Sequence, residues 1–380
     1  MIRTLVTAAA FCLTGHACTS SSVSTQAPEP PTSTSAEDEH RYDDGPHVYW
    51  QTDSRVIAFY TCEGDVQQRA FEVPDTLRLA GFCRDSTTEY LVPARAPSLE
   101  PSVVKEVPRI FAVSDIHGEF EALTDLLQRA GIIDAGLHWS WGDGHLVILG
   151  DVFDRGDKVT ECLWLIYRLE QEAQRAGGRV HFVLGNHEVI VMRGDLRYVS
   201  AKYLDGIVRR SRIKYEDLYG PAMELGRWLR TKHVAVILNG ILFVHGGFPP
   251  AALERGLGLD EVNAAARKNI DIKSYELAFS DTAKFLYGSG GPLWYRGYHE
   301  AQEGRYPKAS AEELALILRT LGAEAIVVGH TEVPEVEALY DGRVFAIDVP
   351  VPDLGSLQGL LWQDGRFYRV AGNGSMEALN

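Results

Sequence analysis

Five short runs in this sequence carry residue types that do chemistry. They are Asp115-Ile116-His117-Gly118, Gly150-Asp151-Val152-Phe153-Asp154-Arg155-Gly156, Gly185-Asn186-His187-Glu188, Val244-His245-Gly246-Gly247 and Val328-Gly329-His330-Thr331. Each directly follows an apolar stretch of strand-like composition, and strand ends are where α/β folds gather ligand-binding side chains. Together the runs offer two aspartates, one asparagine and three histidines as metal ligands: Asp115, His117, Asp151, Asn186, His245 and His330. Hard oxygen mixed with imidazole suits Mn, Fe or Zn and does not choose among them. One Asp-x-His run occurs by chance, and a glycine after a strand is usually only a turn residue. Five such runs in order, each at a strand end, predict a metal centre.

These motifs resemble those of the calcineurin-like metallophosphoesterases, and Asp154-Arg155-Gly156 with Glu188 resembles the phosphoprotein-phosphatase branch. The resemblance covers roughly residues 105–350. Gly290-Gly291-Pro292-Leu293-Trp294-Tyr295-Arg296 and Leu225-Gly226-Arg227-Trp228-Leu229-Arg230 are further similar to the Shewanella-like bacterial phosphatases. Ser114 departs from the glycine common before the first aspartate, and the C-terminal signatures of the large eukaryotic Ser/Thr phosphatases are absent. The resemblance implies that Asp115, His117 and Asp151 hold one metal, and that Asp151, Asn186, His245 and His330 hold the second. Two cations about 3.5–4 Å apart share a water, lower its pKa and align it for in-line attack as a bridging hydroxide. It also implies that His187 protonates the leaving oxygen, that Asp154 orients its ring, and that Arg155 and Arg296 grip the phosphate.

The elements that must position these residues are legible after Lys105, where strands alternate with helices. Arg109 to Val113 reads as a strand, and Phe120, Leu123 and Leu127 mark an amphipathic helix stopped at Gly131. Ser310 with Glu313 forms a capping box opening a helix to about Leu321. Asp143-Gly144, Asn239-Gly240, Asp341-Gly342 and Asp364-Gly365 read as hairpin turns. The expected fold class is α/β, with two mixed β-sheets packed as a sandwich flanked by helices; the resemblance implies the metallophosphoesterase fold. A small β-rich accessory domain precedes it at 47–104, leaving 105–380 as the catalytic domain. Residues 193–232 read as a helical insertion whose Tyr198, Tyr203, Tyr215 and Tyr219 could wall the site, with Arg193 and Asp195 on the same rim.

Ahead of these, Met1-Ile2-Arg3 and the apolar run from Leu5 to Leu13 read as a signal peptide spanning 1–17. Cys18 before Thr19-Ser20-Ser21 resembles a bacterial lipoprotein box, so the expectation is export to the periplasm, with a possible lipid anchor at Cys18. Residues 18–46, rich in Ser, Thr, Pro and Glu, read as a tether. Cys62 and Cys83 could pair in an oxidising compartment, whereas Cys162, at helical spacing with Ile166 and Leu169, reads as a core thiol.

Composition bounds the partners. The 380 residues carry 37 Lys+Arg against 52 Asp+Glu, a formal charge of −15, at 45% hydrophobic and 23% charged. A globular chain of this sign lacks the basic stripe that a duplex nucleic-acid binder needs, so no nucleic-acid partner is expected. The expected function is an exported dimetal phosphomonoesterase acting on phosphoproteins, with phosphotyrosine ahead of phosphoserine and phosphothreonine. The alternatives are a dinucleoside polyphosphate hydrolase, whose relatives share Asp154-Arg155-Gly156, and a non-catalytic lipoprotein scaffold. Other histidines have plainer readings: His145 in a turn, His181 in a strand, His233 capping one, and His299 near Arg296 a rim candidate.

Overall fold

In a computed structural model, residues 41–81, 88–273, 276, 280–299, 307–351 and 355–379 are described. The signal segment, Cys18 and Cys83 lie outside them. Strands β1 (Asp44–Thr52), β2 (Arg55–Cys62) and β3 (Asp65–Glu72) form an antiparallel meander, followed by the hairpin of β4 (Thr76–Ala80) and β5 (Glu89–Pro93). β1 thus begins at Asp44, inside the stretch read as tether. This β-rich portion is docked on the rest of the chain by polar and aromatic contacts. Trp164 Nε1–H donates to the Pro46 carbonyl at 2.9 Å, and Trp50 Nε1–H donates to buried Glu224 at 2.6 Å. The rings of Tyr90 and Trp164 lie 4.7 Å apart. Cys62 is disulfide-bonded, and Cys162 is a free thiol buried in the helix Val159–Ala176.

The remaining strands are β6 (Val103–Val104), β7 (Arg109–Val113), β8 (His145–Ile148), β9 (Arg179–Phe182), β10 (Ala235–Leu238), β11 (Ile241–Val244), β12 (Ala325–Val328), β13 (Glu337–Leu339), β14 (Val344–Ala346), β15 (Gly359–Gln363), β16 (Arg366–Val370) and β17 (Met376–Leu379). They build two six-stranded sheets, ordered β13-β14-β12-β11-β10-β6 and β17-β16-β15-β7-β8-β9. β8, β10, β11 and β12 are buried at every position, the mark of strands covered on both faces. Phe345 of β14 stacks on Phe367 of β16 at 3.9 Å where the sheets meet. The α/β architecture of two mixed sheets is therefore as expected. Asn239-Gly240, Asp341-Gly342 and Asp364-Gly365 do turn antiparallel pairs. Asp143-Gly144 does not: β8 runs parallel to both β7 and β9, so this turn only delivers the chain into a central strand. The expected helices are Phe120–Arg129 and Ala311–Leu321, the second with Ser310 Oγ accepting from the Glu313 N–H at 3.1 Å.

His145 and His181, on the neighbouring strands β8 and β9, are buried and joined ring to ring at 2.9 Å. Burial, with Arg179 and its partner histidine adding to it, holds His181 well below its ordinary value, and burial with Arg179 pulls His145 down to about 4. A base with a depressed folded pKa contributes stability that is complete above its unfolded pKa of about 6.5 and is lost as pH falls toward the folded value. For His145 alone the loss by pH 5 is about 2 kcal/mol. Urea unfolding at pH 7.5 and pH 5 should show a larger drop for the wild type than for His145→Gln; equal drops would remove this pair as the cause.

Candidate metal centre and active site

The parallel strands of both sheets end in one place. Asp115 and His117 follow β7, Asp151 follows β8 and Asn186 follows β9, while His245 follows β11 and His330 follows β12. All six are buried. A left-handed turn brings four of them round, with φ 52° at Asp115, 48° at His117, 54° at Asp151 and 64° at His330, and Asp154 and Arg155 share it at 70° and 64°. Such conformations are uncommon outside glycine, cost roughly 1–2 kcal/mol each and cluster where function demands them. The motif glycines allow the loops to close on one another. A Cβ at Gly150 would strike the backbone of Gly185, and one at Gly329 would strike Ser114 and the Asp115 carboxylate.

Hydrogen bonds fix the ligand rings and carboxylates. His117 Nδ1 meets the Phe153 carbonyl at 2.8 Å, and His245 Nδ1 meets the Leu149 carbonyl at 2.8 Å, leaving each Nε2 to face the cluster. Asp115 accepts from Ser114 Oγ and from the His330 N–H at 3.0 Å. Asn186 Oδ1 lies 2.9 Å from His245 Nε2. Glu188, fully buried, accepts the backbone N–H groups of Asp151, Val152 and Gly185 at 2.9, 2.7 and 2.7 Å. It thereby fastens the Asp151 turn to the Asn186 turn. His187 Nδ1 lies 2.7 Å from Asp154 Oδ2, while its Nε2 points toward Asp151 at 3.8 Å.

The buried acids and imidazoles shift one another strongly. Burial holds Asp115 above the usual carboxylate range, with the Asp151 carboxylate adding to it, although His245 works the other way. Burial raises Asp348 further, with Asp115 adding to it. Asp151 is held well below that range: burial opposes ionisation, but His245 and His187 outweigh it. Conversely His245, despite burial, is pulled up to about 10 by Asp151 and Asp115. Burial, with His187 and Arg155 adding to it, drives His117 down to about 3, and burial with His245 and Arg296 holds His330 well below its ordinary value.

Two groups of side chains bring ligand atoms within 4.8 Å of one another: His117, Asp151 and His187, and Asp151, His245 and His330. Asp151 belongs to both. His330 Nε2 and Asn186 Nδ2 are buried without a hydrogen-bond partner. The Asn186 amide nitrogen is a donor, but the His330 ring nitrogen can offer a lone pair, and a lone pair stranded beside crowded carboxylates is what a bound cation would satisfy. The residues present therefore fit a dimetal centre of clustered His and Asp. His187 falls within the first group alongside His117, although its other nitrogen is already taken by Asp154.

Above the cluster opens a cavity of about 570 Å³. Arg155 and Arg296 line it, with Tyr198 and Trp294 as aromatic walls. Arg155 lies 3.8 Å from Glu332 across the mouth. Several anticipated rim residues turn elsewhere. Arg193 Nε–H donates to the Ile272 carbonyl at 2.8 Å with its guanidinium over the Tyr287 ring, and Asp195 pairs with Arg197. His299 is not among the lining residues. Tyr203, Tyr215 and Tyr219 are packing residues, no more than 1% exposed. Asp348 lines the cavity and was not anticipated. It follows β14 as Ile347-Asp348-Val349, the same strand-then-acid arrangement as the other motifs but without their glycine.

The calcineurin-like phosphoesterase family model matches residues 108–334. The Shewanella-like protein phosphatase 1 of Plasmodium berghei is 28% identical over 243 residues, covering 63% of this chain and 66% of that protein. The Shewanella-like protein phosphatase 2 of Arabidopsis thaliana is 26% identical over 300 residues, covering 65% of this chain and 74% of its own. Among solved structures, the cold-active protein-tyrosine phosphatase of a psychrophilic Shewanella species is 35% identical with a TM-score of 0.82, covering 89% of this chain and 99% of that one. With the family's motifs gathered at the ends of its two sheets, this chain belongs to the calcineurin-like phosphoesterase family.

Proposed function

We propose that this chain is an exported dimetal phosphomonoesterase that hydrolyses phosphoprotein monoesters, phosphotyrosine ahead of phosphoserine and phosphothreonine. The observation that carries the reading is the single cavity in which a His/Asp metal cluster faces two arginines and two aromatic rings. The Shewanella phosphatase, similar across nearly its whole length, supports the substrate class. The disulfide at Cys62 supports an oxidising compartment, in keeping with a signal peptide and a lipid anchor at Cys18.

Two ions of Mn, Fe or Zn would be held by Asp115, His117 and Asp151 on one side and Asp151, Asn186, His245 and His330 on the other, supplying Lewis acidity and an activated water. Arg155 and Arg296 present forked donors to the phosphoryl oxygens, and phosphate competes with Glu332 for Arg155. His187 is the proton donor to the leaving oxygen. Burial disfavours its charged form, but the Asp151 carboxylate and the bond to Asp154 outweigh burial and raise its pKa. Asp154 accepts a hydrogen bond from the Nδ1–H of the imidazolium, which leaves the Nε2 proton to pass to the leaving oxygen.

Phosphate release from matched phosphotyrosine and phosphoserine peptides, with Mn-loaded and metal-stripped protein, tests this reading. Metal-dependent release, faster from phosphotyrosine, is expected. Cleavage of diadenosine tetraphosphate with neither peptide touched would overturn it in favour of nucleotide hydrolysis.

A further inference from the structure

Tyr198 is exposed in a way its neighbours are not. It is 45% exposed, whereas the other three tyrosines of the 193–232 segment are buried. Among the described residues, the other large apolar side chains left in the open are Tyr49, Leu99, Val103, Leu316 and Met376, and none of these lines the catalytic cavity. Its position is nevertheless fixed. The Arg155 N–H donates to the Tyr198 carbonyl at 2.9 Å, tying the residue to the turn that carries Asp154. Three residues back, Asp195 grips Arg197 through both its oxygens, at 2.9 and 2.6 Å. The ring so placed stands 5.3 Å from the ring of His187, tilted by 47°. On the other side of the cluster it is Trp294 that stands against His330, at 5.4 Å.

We propose that the Tyr198 side chain is a specificity-determining wall for an aryl leaving group. The inference rests on the phosphomonoesterase reading above, and adds to it which residue selects the substrate. A leaving oxygen must come within about 3 Å of the proton-donating nitrogen. A ring carried directly on that oxygen extends past His187 and meets the face or edge of Tyr198. A phosphoserine methylene is too small to reach it. Aromatic pairs of this kind add roughly 0.5–1.5 kcal/mol beyond their burial, which corresponds to about a 2- to 10-fold selection. The tie from Arg155 uses the Tyr198 backbone carbonyl, so changing the side chain leaves it in place.

The test compares wild type, Tyr198→Ala and Tyr198→Phe on phosphotyrosine and phosphoserine peptides, and on phenyl phosphate and glycerol phosphate. Expected for Tyr198→Ala is a 2- to 10-fold fall in kcat/KM on the aryl member of each pair, with the alkyl member changed by less than about 2-fold. Tyr198→Phe keeps the wild-type ratio. If Tyr198 served only to hold His187, the loss would fall more heavily on the alkyl substrates, whose leaving groups need the proton most; that result, or equal losses on both, overturns the proposal. An aryl-selective loss on the small substrates with both peptides inert supports the wall and overturns the phosphoprotein reading. Active peptides with an unchanged aryl preference in Tyr198→Ala do the reverse. No hydrolysis of any of the four substrates by metal-loaded wild type overturns both.

Discussion

Asp151→Asn should lower metal-dependent turnover by at least about 10³-fold while leaving the fold intact. Asp151 is the one carboxylate shared by the two ligand groups, and it is 1% exposed, so nothing in solvent replaces it. The exchange is sterically gentle. Asparagine tolerates the left-handed backbone found here at φ 54°, and its Oδ1 keeps the bond from the His187 N–H, now 2.9 Å. The Asp151 N–H to Glu188 is a backbone contact and is unaffected. What disappears is one negative charge, and with it the counter-charge lying 3.1 Å from His245. The metal-free variant should therefore lose stability on the order of 3 kcal/mol, because removing one partner strands the other in the interior. Elemental analysis of the purified variant should find fewer than two ions per chain, and circular dichroism should be unchanged. Two retained ions with near-normal turnover would sink the assignment of Asp151 as the shared ligand.

Such a prediction could be framed from the sequence because the motifs mark the ends of strands, and a strand end is a local feature. Apolar runs such as Leu146–Leu149 followed by Gly-Asp, or Ile326–Val328 followed by Gly-His, declare both the strand and the place where it stops. The sheet order is a different matter. That β15 inserts between β16 and β7, or that β6 attaches to β10 after two residues, depends on pairing between distant segments, which no local pattern encodes. Asp143-Gly144 shows the limit at close range, since the same dipeptide serves a hairpin or the entrance to a parallel strand. The site divides along the same line. The ligands were visible because each sits in its own run. Asp348 and Tyr198 were not singled out, since one lacks a flanking glycine and the other is one tyrosine among four. Burial alone separates Tyr198 from Tyr203, Tyr215 and Tyr219, and burial is a property of the folded chain. The N-terminal strands read as a separate module, yet Trp50 and Trp164 reach across the boundary for hydrogen bonds that only tertiary contact reveals.

His187→Asn should separate substrates by their leaving groups. A positioned general acid contributes about 10²–10⁴-fold, and only where the departing oxygen needs a proton. Loss on a phosphoserine peptide, whose alkoxide leaves poorly, should be on the order of 10²–10³, while loss on nitrophenyl phosphate should stay under about 10-fold. The reason lies in the bond to Asp154 at 2.7 Å, which fixes the ring so that Nε2 faces the cavity. Asparagine can keep a hydrogen bond to that carboxylate, so Asp154 is not left as an unpaired buried charge. Yet an amide cannot release a proton at neutral pH, so the geometry survives and the chemistry does not. His187 also falls within ligand reach of His117 and Asp151, which supplies the competing account. If its role were to hold metal, His187→Asn would lower both substrates alike and reduce the metal content. The two accounts therefore part on one pair of measurements. Unequal losses with two ions retained identify a proton donor; equal losses with an ion gone identify a ligand.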